Sequence, residues 1–177
     1  VEATTHQQFE KAAAEKRYLK GRWEYYREII EMARRLNPES ILEVGPGPLH
    51  LFPSADSLDR VKKHQPTYQH DATIVPWPIA DKAYDLIIAS QVFEHFNGRQ
   101  REAFAELRRC CRYGLLSIPY KWKTSKRDDH IGLTDKTMKL WTGGAEPIAV
   151  SVIPKQSFME RLRHQAKLRK IYLYEFG

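Results

Sequence analysis

Apolar positions first recur at helical spacing. Trp23, Tyr26, Ile30 and Ala33, with Ile29 and Leu36 beside them, predict a helix over 22–36 that Asn37-Pro38 stops. Before it, 5–19 reads as a more polar helix capped by Thr4 or Thr5, with Gly21 as the break. The rhythm then changes. Ile41-Leu42-Glu43-Val44 is a short apolar run entering the turn Gly45-Pro46-Gly47, as a strand buried on both faces would. A short strand is expected within 54–59, one or two helical turns within 60–66, and a third strand with its exit over 67–72. Pro76-Trp77-Pro78 is a loop. The apolar run 84–89 is the clearest strand after the first. A helix over 99–112 follows, with Ala103, Phe104, Leu107, Cys110 and Cys111 as its buried stripe and Gly114 as its cap. A strand at 115–118 closes on Pro119. After a basic loop at 120–133, Thr134 caps a short helix reaching Trp141, and strands are expected at 148–153 and 170–176.

Strands alternating with crossovers, then two late strands with no long crossover, predict an α/β fold. The sheet would be doubly wound, Rossmann-like and seven-stranded, mostly parallel with an antiparallel C-terminal hairpin. Two N-terminal helices precede it, and the crossover after the first strand is shortened. The 177 residues suit one domain spanning 1–177, with N-terminal helices over 1–37, a first half over 38–120 and a second over 121–177.

Composition narrows the class. Apolar residues make up 42%, as in a globular chain, and no apolar run approaches the roughly 20 residues of a membrane helix. The first residues show no secretory pattern, and the two cysteines, Cys110 and Cys111, read as reduced, buried thiols on a helix. A cytoplasmic location is therefore expected. The net charge of +7 gathers at Lys121, Lys123, Lys126 and Arg127 and again over 161–170, which reads as a solvated basic face.

The glycine turn can hold a nucleotide-like ligand. A nicotinamide dinucleotide would need backbone donors for its pyrophosphate, yet Pro46 and Pro48 remove two, the third glycine of G-x-G-x-x-G is missing, and Glu43 adds an anion. A cofactor with a cationic centre and no phosphate, such as S-adenosylmethionine (SAM), suits the turn better.

Four segments in order carry a resemblance: 43–47; 70–72 with 76–78; Tyr84 through Glu94-His95; and 108–119. Together they resemble the class I SAM-dependent methyltransferases, in the ubiquinone/menaquinone-biosynthesis-like, type 11 form. The resemblance implies that Gly45, Pro46 and Gly47 lie against the methionine and ribose of SAM, with Glu43 orienting its amino end. It further implies that Asp59 takes the ribose hydroxyls, that Asp71 and Ala72 take the adenine, and that Ser90 and Gln91 lie beside the methionine. Leu49 departs from the commonest pattern, and Asp59 follows Glu43 by only 16 residues, so Asp56 is the reserve for the ribose.

Methyl transfer from a sulfonium needs alignment and exclusion of water, and a base only where the acceptor must lose a proton. Glu94, His95 and His130 are the candidates for that role. Asp128, Asp129 and His130 are close in sequence, but no metal site is expected. Ser90-Gln91-Val92-Phe93 lacks the Asn/Asp-Pro-Pro-aromatic tetrapeptide of enzymes that methylate nucleic-acid bases. This favours a small-molecule acceptor over nucleic acid. The acceptor pocket would come from the aromatic N-terminal helices, the 120–133 loop and a second chain if the protein is a homo-oligomer. The competing readings are a nicotinamide oxidoreductase and a non-catalytic methyltransferase-like module binding an anionic partner.

Overall fold

Period-two burial along the central strands sorts the core into two layers. The computed structural model describes residues 1–16, 19–123, 125, 128–154 and 168–177. Its strands are β1 (Ile41–Val44), β2 (Asp56–Asp59), β3 (Tyr68–Gln69), β4 (Tyr84–Ser90), β5 (Cys111–Tyr120), β6 (Ala149–Pro154) and β7 (Leu168–Glu175). They form one sheet in the order β3-β2-β1-β4-β5-β7-β6. The pairs among β1 to β5 are parallel, whereas β7 is antiparallel to both β5 and β6. The predicted seven-stranded α/β sheet with its antiparallel end is therefore the fold observed.

Among the described residues, four α-helices cover it: α1 (His6–Glu15), α2 (Trp23–Arg35), α3 (Gln100–Cys110) and α4 (Asp135–Trp141). On one face, Ile41, Leu86, Ile88, Leu115, Ile171 and Leu173 pack with the apolar side chains of α1 and α2. On the other, Leu42, Val44, Ile87, Ala89, Leu116 and Ile118 pack with α3 and α4. Thr5 and Thr134 each close a capping box, at the starts of α1 and α4. No helix among the described residues is long and apolar enough to cross a membrane.

The junction between α3 and β5 corrects the sequence expectation. The helix ends at Cys110, Cys111 already has extended backbone, and the strand runs through Pro119 to Tyr120. Cys111 is thus a strand residue paired with Tyr84, not part of a helical stripe. Gly114 does not cap the helix. It sits inside β5, where an added Cβ would fall 2.3 Å from Leu107 Cδ2, so the glycine is what lets α3 lie close on the sheet. Lys126, Arg127, Tyr18 and most of the basic run 161–170 lie outside the described residues.

The crossover from β1 to β2 carries no helix over 45–55. A loop anchored by the buried side chains of Leu51 and Phe52 replaces it. Both carboxylate oxygens of Glu43 accept backbone N–H bonds from that loop, from Leu51 at 3.1 Å and Phe52 at 2.7 Å. The N-terminal segment holds the same loop from outside: Thr4 donates its N–H to Leu51 O and its hydroxyl to His50 O.

Candidate active site

In an open α/β sheet the strand order reverses at one point, and ligands bind beyond the carboxyl ends of the strands there. Here β1 has β2 on one side and β4 on the other. A cleft of about 130 Å³ opens at that edge. Gly45, Asp59, Asp71 and Ala72 line it from one side, and Val92, His95 and Phe96 from the other.

Gly45 has φ +59° and donates its N–H to Leu58 O at 2.8 Å, which turns the chain out of β1. A Cβ there would lie 2.8 Å from Val92 Cγ2, so a side chain would close the cleft. Asp59 ends β2 and is buried. Its oxygens accept from Val61 N–H at 2.8 Å and meet His64 Nδ1 at 2.8 Å. Asp56 begins the same strand, at the opposite edge of the sheet, and accepts from Thr67 and Tyr84 hydroxyls. Asp71 accepts from the backbone N–H of Thr73 at 3.0 Å and from its hydroxyl at 2.8 Å. The backbone bond, then the Thr73 hydroxyl and Arg60, hold its pKa below the ordinary value, so it stays a carboxylate.

Other predicted cofactor residues stand outside that lining. Glu43 points to the face covered by α1 and α2, and burial pushes its pKa up to about 7 against the pull of its two N–H donors. Gly47 (φ +69°) borders a separate hollow with Lys16, Pro48, His50, Lys63 and His64, and Pro46 is half-buried between the two glycines. Ser90 Oγ meets Ser117 Oγ at 3.1 Å. Gln91 adopts φ +56°, donates to Ser117 O and Oγ, and accepts from Arg169 Nε at 3.3 Å. A non-glycine residue in that conformation marks a tightly held turn at the end of β4.

Beyond His95 lies a cluster assembled from two short 3-10 turns, Phe93–His95 after β4 and Asp128–His130 after β5. It brings the three predicted catalytic side chains together. One donor atom from each of Glu94, His95 and His130 lies within 4.8 Å of the others. His95 Nδ1 meets Asp129 Oδ2 at 2.6 Å, and His130 Nε2 is 4.0 Å from Glu94 Oε1. The Glu94 side chain is 0% exposed, and neither carboxylate oxygen has a hydrogen-bond partner. Burial, and secondarily the Asp129 charge, pushes its pKa up to about 8.

Above the cluster, buried Arg169 of β7 stacks on Tyr25, 4.4 Å from its ring centre, and Arg22 donates to the Tyr25 hydroxyl at 2.9 Å. Asp129, Arg169 and Tyr25 were not assigned to the site from sequence. Tyr25 and Asp129 were reached only through the aromatic helices and the 120–133 loop expected to shape the acceptor pocket, and nothing local places Arg169 there.

Residues 49–117 match a family model described as a methyltransferase domain. Among curated proteins none matches the sequence. Solved structures resemble the fold at low identity. The plantazolicin methyltransferase BpumL in complex with S-adenosylhomocysteine is 13% identical, with 98% of this chain and 92% of that one covered and a TM-score of 0.59. A SAM-dependent methyltransferase from Methanosarcina mazei is 12% identical over 78% of this chain and 93% of its own, at 0.57. The [4+2]-cyclase SpnF has 12% identity over 86% and 81%, at 0.59, so the same architecture also houses a cyclase.

Proposed function

We propose that this chain, which carries a class I SAM-dependent methyltransferase domain, transfers the methyl group of SAM to a small-molecule acceptor in the cytoplasm. One observation carries the reading. One cleft is lined by Gly45 of the glycine turn, by the carboxylates of Asp59 and Asp71 and by His95, and His95 leads into the half-buried cluster it forms with His130 and the buried Glu94.

The residues present fit SAM. Gly45 leaves the space that a Cβ would fill. Asp59 and Asp71 offer carboxylate acceptors, which suit ribose hydroxyls and an exocyclic amine. The same negative charge opposes a pyrophosphate, which disfavours a nicotinamide dinucleotide. When bound, SAM supplies an activated methyl group on a cationic sulfur. Around it, this chain's own residues have three tasks. Asp59 and Asp71 fix the nucleoside end. Gly45 lets the rest approach the backbone. Val92 and Phe96 exclude water on the side facing His95. Glu94, His95 and His130 then serve the acceptor, by holding it or by taking its proton.

Calorimetry with SAM tests this reading. One-to-one binding is expected, and Asp71→Ala should weaken it at least tenfold, because the substitution removes a charged acceptor from the cleft. Absence of heat with the wild-type protein at millimolar SAM would sink the reading. Unchanged affinity in the variant would remove Asp71 from it.

A further inference from the structure

A fully buried carboxylate with no hydrogen-bond partner is costly unless it is protonated or meets a cation. Glu94 is such a group. The nearest basic atom paired with it is His130 Nε2 at 4.0 Å, too far for a hydrogen bond. Two imidazoles and this carboxylate converge on one point, each with a donor atom inside 4.8 Å of the others.

We propose that Glu94, His95 and His130 are the protein ligands of a divalent first-row transition-metal ion seated beside the cofactor cleft. This departs from the expectation of no metal drawn from the sequence.

Three observations support it. The donor set is two imidazole nitrogens and one carboxylate oxygen, which suits zinc, cobalt, iron or manganese, whereas calcium and magnesium prefer oxygen alone. His95 is oriented as a ligand would be. Its Nδ1 faces Asp129 Oδ2 at 2.6 Å, which leaves Nε2 as the nitrogen that would ligate. A carboxylate behind a ligating imidazole fixes its tautomer and raises its basicity. Lastly, the ligands stand on two short turns from different parts of the chain, so an ion would tie them together. Donor atoms around a bound ion stand about 3 Å apart, and small side-chain rotations of His130 and Glu94 would close the present spacing.

Three protein ligands leave coordination positions open, as in sites where a metal binds substrate. His95 also lines the cofactor cleft, so those positions adjoin it. On the methyl-transfer reading, the molecule they would take is an acceptor that offers an oxygen, so that the three ligands would hold it through the ion rather than take its proton themselves. Metal binding itself does not depend on that reading.

The test uses the full chain, free of any affinity tag and stripped with a chelator, titrated with Co²⁺ alone. A visible d–d absorption band should appear and saturate at one equivalent. Glu94→Gln and His130→Asn should each abolish the band while far-UV circular dichroism stays native. Asp129→Asn should weaken Co²⁺ binding about 10–100-fold, as outer-shell changes do. SAM calorimetry on the same samples separates the two claims. Co²⁺ binding without SAM binding would support the metal site and overturn the methyl-transfer reading. Wild-type protein that takes up no stoichiometric Co²⁺ would overturn the metal site, leaving Glu94 a neutral buried acid. So would Glu94→Gln and His130→Asn variants that bind Co²⁺ with wild-type affinity.

Discussion

Glu43 ties the glycine turn to the rest of the molecule through its carboxylate, and that carboxylate is almost wholly buried at 3% exposure. Burial raises its pKa from an ordinary 4.5 to about 7. Below pH 4.5 both folded and unfolded chains hold the proton, and this group's contribution to stability is fully present. Between 4.5 and 7 the unfolded chain releases a proton that the folded chain keeps, so stability falls as pH rises. Above about 7 the loss is complete, on the order of 3 kcal/mol. Glu43→Gln is neutral at every pH and lacks this dependence. It also loses one of two acceptors, which costs about 1–3 kcal/mol throughout. Urea denaturation should therefore show the variant gaining on wild type by about 2–3 kcal/mol between pH 5 and pH 8, lying below it at pH 5 and at or above it at pH 8. Equal gaps at the two pH values would show that Glu43 titrates normally.

At the scale of elements, the α3–β5 junction shows a helix and a strand meeting without a loop. Leu107 packs where a side chain at 114 would go, and Phe176 Cε2 stands 2.9 Å from the same position. Gly114→Ala has no backbone strain to overcome, yet the buried side chains of Leu107 and Phe176 must shift to make room for it. A loss of about 1–3 kcal/mol is expected, as for overpacked cores. Combining it with Leu107→Ala should cost clearly less than the two separate losses, and strict additivity in denaturant melts would refute the contact. This junction is also where the sequence misleads. Cys110 and Cys111 continue the apolar stripe of α3, and a glycine three residues on looks like a helix end. Only the close packing of Leu107 explains it. By contrast, β1 and β4 were legible because strands buried on both faces are apolar throughout. The shortened crossover was legible because Pro48 and Pro53 leave no room for a helix. Of the residues lining the cleft, Gly45 was legible from the glycine turn after β1, and Asp59 and Asp71 only through the family resemblance. Glu94, His95 and His130 were each named from sequence, but their convergence was not legible, since they join only when two turns after different strands face each other. Nor could sequence show that Glu43 turns away from the cleft, because its direction depends on which sheet face α1 and α2 cover.

Across the whole molecule, the N-terminal helices and the last strand meet over the site through Tyr25. Its ring is 1% exposed, packs edge-on against Tyr26, and carries the guanidinium of Arg169 on its face. Arg169 also reaches Gln91 at the end of β4, and its burial lowers its pKa. One aromatic side chain thus links α2, β7 and the turn that opens the candidate site. Tyr25→Ala should cost about 3–5 kcal/mol, as large aromatic truncations do, and leave the Arg169 guanidinium with only the more distant Trp122 ring, 5.5 Å away. Tyr25→Phe keeps the ring and loses only the hydroxyl that accepts from Arg22, worth about 1 kcal/mol. If the ring is the link, SAM affinity and stability should fall together in Tyr25→Ala and stay near wild type in Tyr25→Phe. Equal losses in the two variants would move the link from the Arg169–ring stack to the Arg22–hydroxyl bond. Loss of stability in Tyr25→Ala with SAM affinity intact would show that the helical cover is a core element only, energetically separate from the cleft beneath it.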